Sequence, residues 1–151
     1  MAWYSSSFSK RILRDCEEKA LQAANEAIDE NYDLTLSYLN SFYSSYFPKR
    51  YTRTNDGGDY STGGSLYDSL EVEWARIVGN KVKGKVYYDY AGKGYTSYSP
   101  SGINPSMFKV IGWIESGSIP CRPVSTPSIW RVPKASFKDN INSAFSKYFH
   151  R

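Results

Sequence analysis

The chain has 151 residues and a formal net charge of +4, with a sequence pI near 9.0. That length supports one domain, residues 1–151, with a real but modest core. The charge is weaker than the footprint of a dedicated DNA reader, and the absence of any run of about 18 apolar residues excludes a membrane span.

Residues 1–47 read as a helical region. From residue 8 to 46, Ile12, Leu13, Cys16, Ala20, Ala23, Ala24, Ala27, Leu34, Tyr38 and Phe42 share one side of a helix at about 100° per residue. Arg11, Arg14, Glu18, Asn25 and Asp29 face away. Pro48 ends the run, because the residue before proline is pushed out of the helical region. An unbroken helix would be about 55–60 Å long. A small body cannot cover that length. The helix therefore either breaks near Asp29–Asp33 or buries part of its stripe against a neighbour. The alanines allow another element to come close.

Residues 48–65 form a loop with glycines at 57, 58, 63 and 64. Lys49, Arg50 and Arg53 alternate there with Tyr51, a mixture that suits nucleic acid or a protein partner. A hairpin follows over 66–91. Its first strand alternates Leu70, Val72 and Trp74 with Glu71 and Glu73. Gly79-Asn80 makes the turn. The second strand sets Lys81, Lys83 and Lys85 on one face and Val82, Gly84, Val86 and Tyr88 on the other. Cross-strand pairing with the glutamates accounts for part of that lysine row. A polyanion-facing role would account for the rest.

Residues 105–116 follow an Asn104-Pro105 start signal and precede Gly117, which suits a helix. Period two through Phe108, Val110 and Ile114 keeps a strand open. Prolines at 120, 123, 127 and 133 make 118–133 an extended arm. Residues 134–151 carry a C-terminal amphipathic helix with Phe137, Ile141, Ala144, Phe145 and Tyr148 on one face. The fold class is α+β. Basic residues dominate beyond Gly117, six against the single acid Asp139.

No pattern supports catalysis, a cofactor or a metal site. The single histidine, His150, sits beside the C-terminus, which disfavours a Ser-His-Asp triad. Cys16 and Cys121 are isolated, and both read as reduced, structural thiols of a cytosolic protein. Met1–Ser9 has no apolar core segment of the kind a signal peptide needs.

The order of elements resembles the neck or tail-completion (head–tail joining) proteins of long-tailed bacteriophages. In that family a TG-x-L-x-x-S-hydrophobic step leads into the first strand. Thr62, Gly63, Leu66, Ser69 and Leu70 carry the match, with one extra residue between glycine and leucine. Pro123, Pro127 and Pro133 before the last helix are also similar. The resemblance implies a non-enzymatic structural virion protein that assembles with itself as a hexameric ring in the virion neck, after synthesis in the host bacterial cytoplasm. Its implied neighbours are the connector or head-completion protein on one side and the tail terminator or tail tube protein on the other. Double-stranded DNA would pass through without sequence specificity, and no membrane would be involved. The alternative is a small phage-encoded regulatory or nucleic-acid-binding accessory protein.

Overall fold

The computed structural model describes residues 3–45, 65–89, 107–116, 118–119, 122–123 and 128–149. The elements are α1 (Trp3–Ser45), α2 (Ser65–Ser69), β1 (Leu70–Val78), β2 (Lys81–Tyr88), α3 (Met107–Ser116), β3 (Ser118–Ile119), β4 (Arg122–Pro123) and α4 (Arg131–Phe149). The α+β class holds.

α1 is continuous. Of the two readings open for its length, a break near Asp29–Asp33 is absent, and the helix spans 43 residues, about 65 Å. Asn31 and Thr35 are buried rather than solvated, and the Thr35 hydroxyl donates back to the Asn31 carbonyl at 2.7 Å. The helix buries two sides. Ala23 and Ala27 face α4, where they meet Ala144 among Phe137, Ile141, Phe145 and Tyr148. The expected face of α4 and the small face of α1 therefore find each other. Ile28, Leu39 and Phe42 enter a second cluster with Leu66, Leu70, Val86, Tyr88, Ile111, Ile114 and Ile129. α4 runs antiparallel to α1: Lys147 and Tyr148 reach Glu26, whereas Ile129, just before α4, joins the cluster that holds Leu39 and Phe42.

The hairpin starts later than expected. Residues 66–69 are a helical turn, and the strand begins at Leu70. The Ser69 hydroxyl donates to the Leu66 carbonyl at 2.9 Å, and the Ser69 carbonyl accepts Asp89 N–H at 2.6 Å, which fixes the entry to β1. β1 and β2 pair antiparallel around Gly79-Asn80, with Gly79 at φ +65. Only the first turn residue has positive φ, the pattern of a type II′ turn, which takes glycine first. Simple alternation fails once. The register shifts between Glu73 and Arg76, so Trp74 is exposed and Ala75 turns onto the core. The Ala75 N–H donates to Asn25 Oδ1 on α1 at 2.8 Å, so Asn25 does not face away as its wheel position suggested.

A two-stranded hairpin is marginal alone and needs a surface beneath it. Gly84 lets it approach that surface. A Cβ there would lie 2.5 Å from Ile28 Cδ1 and 3.0 Å from the Ala75 backbone. The methyl end of Ile28 can shift, but the strand backbone cannot do so cheaply. Gly84→Ala is expected to lose about 1–3 kcal/mol of stability in chemical denaturation. Wild-type stability in that variant would show that the hairpin stands further off α1.

Residues 107–116 are helical, which excludes the strand alternative; Asn104, Pro105 and Gly117 lie outside the described residues. The 118–133 segment departs from a plain extended arm. Ser118–Ile119 pairs antiparallel with Arg122–Pro123, and α4 begins at Arg131 with Pro133 buried in its first turn. Proline tolerates that place because a first-turn N–H has no helical acceptor.

Candidate functional site

The lysine row lies on the outer face of β2. Its inner face carries Val86 and Tyr88, both buried, and Gly84 against α1. Lys81, Lys83 and Lys85 are all exposed. Their partners differ from the simple expectation that two glutamates face lysines. Lys85 lies opposite Glu73 and forms an ion pair at 2.9 Å, with its ammonium 4.0 Å from the centre of the Tyr87 ring. The Glu73 hydrogen bond raises the pKa of Lys85 above its ordinary value. Glu71 lies opposite Tyr87 instead of a lysine. The register shift then places Arg76 opposite Lys83, and Lys81 opposite Val78. Among the described residues no carboxylate pairs with Lys81 or Lys83. The end of the hairpin is therefore more basic than its sequence pattern implied. Trp74, Ile77 and Val78 are exposed on the same stretch.

The bare end of α1 is the second surface. Residues 7–18 are all exposed, including Phe8 at 59%, Ile12 at 47% and Leu13 at 60%. Cys16 is an exposed free thiol, not the buried structural residue expected from its place on the apolar face. The face is apolar, but nothing in the described part of the chain covers it there. Cover begins where α4 arrives. Lys147 Nζ bonds Glu26 Oε1 at 2.7 Å, and the Tyr148 hydroxyl donates to Glu26 Oε2 at 2.9 Å. The Lys147 hydrogen bond, then that of Tyr148, holds the Glu26 carboxyl below its usual range, and the same contacts push Lys147 and Tyr148 up.

The motif residues Leu66, Ser69 and Leu70 are buried and build the turn into β1, so their role in this fold is architectural. Thr62, Gly63, Lys49, Arg50, Tyr51, Arg53 and Cys121 lie outside the described residues. Sequence reasoning missed Glu115. Its Oε1 accepts the N–H groups of Ile129 at 2.8 Å and Trp130 at 2.6 Å, with Arg131 at 3.3 Å, and the Ser128 hydroxyl donates to the same carboxylate. Ser128 Oγ in turn accepts Val132 N–H at 3.1 Å. The start of α4 is thus capped by a carboxylate from α3. A lone glutamate at the end of a helical pattern carries no signal of this in the sequence.

No group of three or more His, Cys, Asp or Glu side chains is placed to hold a metal ion among the described residues. No described helix is long and apolar enough to cross a membrane. No protein-family model, curated protein or solved structure matches the chain.

Proposed function

We infer that this chain is a structural subunit of the neck of a long-tailed bacteriophage. It assembles with copies of itself between the head connector and the tail, and the basic strand Lys81–Lys85 faces the DNA that passes. The observation that carries this reading is the exposure of large apolar side chains on two separate elements, Phe8, Ile12 and Leu13 on α1 and Trp74, Ile77 and Val78 on β1. Large exposed apolar patches mark interaction sites. A chain with exposed apolar residues on two separate elements is suited to contact more than one neighbour, as a ring requires. Lys81 and Lys83, without a carboxylate partner among the described residues and beside Arg76, favour a polyanion on the adjoining face and also keep the accessory-protein alternative open.

Mass photometry of the purified chain, combined with gel shift of double-stranded DNA, separates the two. A neck subunit forms a closed species of fixed size and holds DNA weakly. Three lysines per subunit neutralise few phosphates, so affinity is low and falls steeply with salt. The triple variant Lys81→Gln, Lys83→Gln, Lys85→Gln is expected to keep its fold, since its exposed ion pair contributes only about 0–1 kcal/mol, and to lose DNA retention. Tight DNA binding by a monomer would favour the accessory protein. A monomer indifferent to DNA and to candidate neck partners would rule out both.

A further inference from the structure

We propose that the bare end of α1 pairs with the same segment of a second copy, antiparallel and about a two-fold axis near residue 13. This rests on reading the chain as an assembly subunit, and it assigns the occupant of one of its two open surfaces.

Three observations converge on that occupant. The first is continuity. At about 100° per residue, Ile12 and Cys16 lie on the same side of α1 as Ala23 and Ala27, the side that α4 covers. α4 runs antiparallel to α1, and its last residue, Phe149, is 44% exposed and stacked on Phe145. A second antiparallel helix on the open stretch would continue the line of α4.

The second is charge order. Lys10, Arg11 and Arg14 precede Asp15, Glu17 and Glu18, so this stretch is basic first and acidic after. Lys10 and Glu17 fall on one flank of the apolar stripe, and Arg11 and Asp15 on the other. An antiparallel two-fold brings like flanks together, which sets Lys10 against Glu17 of the second copy and Arg11 against Asp15. A parallel pair brings opposite flanks together and sets Lys10 against Arg11 and Glu17 against Asp15. The sequence of charges therefore favours one direction and opposes the other. Asp15 and Glu18 also make ion pairs within their own helix, to Lys19 and Arg14. Those pairs are exposed and leave room on each carboxylate for a second donor.

The third is length. The uniformly exposed run of residues 7–18 is centred near residue 13. Two such runs overlap fully without the bodies having to interpenetrate. The contact is two-fold and closes with two copies. It leaves the exposed end of the hairpin open for other contacts.

Sedimentation equilibrium on the full chain tests this. One variant carries Lys10→Glu and Arg11→Glu, and another carries Asp15→Arg and Glu17→Lys. All four positions are exposed, and circular dichroism checks that helix content is kept. Each variant alone is expected to self-associate more weakly than wild type by roughly tenfold or more. An equimolar mixture is expected to recover the pair. Direction is tested separately in a Cys121→Ser background. Ile12→Cys should oxidise readily to a covalent dimer through Cys16 of the second copy. The parent with Cys16 alone should not, because an antiparallel register keeps the two Cys16 residues beyond disulfide reach. Pairing that survives in both charge variants, a mixture that fails to recover it, or ready Cys16–Cys16 linkage in the parent would overturn the proposal. A closed assembly that persists unchanged in both charge variants removes this contact while leaving the neck reading in place. A wild type that stays monomeric removes the contact, and the neck reading then stands or falls on assembly with its neck partners.

Discussion

Tyr88→Ala is expected to cost about 4 kcal/mol of stability. Tyr88 is 1% exposed at the end of β2. Its ring meets Trp130 edge-on at 5.3 Å, and its hydroxyl donates to the Ile129 carbonyl at 3.2 Å. Truncation removes the ring that joins the hairpin to the start of α4 and leaves a cavity among Leu66, Leu70 and Ile129. Tyr88→Phe separates the two contributions. It keeps the ring and loses one neutral hydrogen bond, so about 1 kcal/mol is expected. Urea denaturation of both variants measures the difference. Equal losses in the two would mean that the hydroxyl, not the ring, carries the effect.

Glu115→Ala comes second, at about 3 kcal/mol. The change strips a charged acceptor from the Ser128 hydroxyl and from the N–H groups at the head of α4, including that of buried Ile129. Burial without a partner makes such a loss larger than that of an exposed cap, which is typically about 1 kcal/mol. Glu115→Gln keeps an oxygen at the Oε1 position and can donate to Ser128, so it should recover more than half of the loss. A thermal melt of the alanine variant within a degree of wild type would show that water replaces the carboxylate without penalty.

The sequence showed some of this plainly. Helical periodicity placed α1 and the face of α4, because an apolar stripe and its spacing belong to one element and need no partner to be seen. Alternation placed β2 for the same reason. It failed on β1 at Trp74, where a single extra residue turns the strand over, and no local residue type announces that shift. The two buried sides of α1 were legible only in part. Ala23 and Ala27 lie in the stripe, but Asn25 is polar and reads as outward, and buried Asn31 and Thr35 carry no apolar signal. Asn25 is inward because the hairpin packs there and gives it the Ala75 N–H. Glu115 was invisible for a related reason: its donors lie 13 to 16 residues further along the chain. Of the candidate surfaces, the lysine row was visible as a row, whereas its shortage of acidic partners depended on the register.

Glu26 and Lys147 meet across 121 residues of chain. A ribosome adding about 5–20 residues per second needs on the order of ten seconds to make that interval. Through that time the Ala23–Ala27 face of α1 has been synthesised, but the helix that covers it has not. The Ala23–Ala27 face therefore leaves the ribosome uncovered, and it closes only once α4 has emerged. A nascent chain of this design depends on a late partner in its own sequence, and a stop codon within α4, at Asn140, should yield an insoluble or rapidly degraded product rather than a shortened, working one.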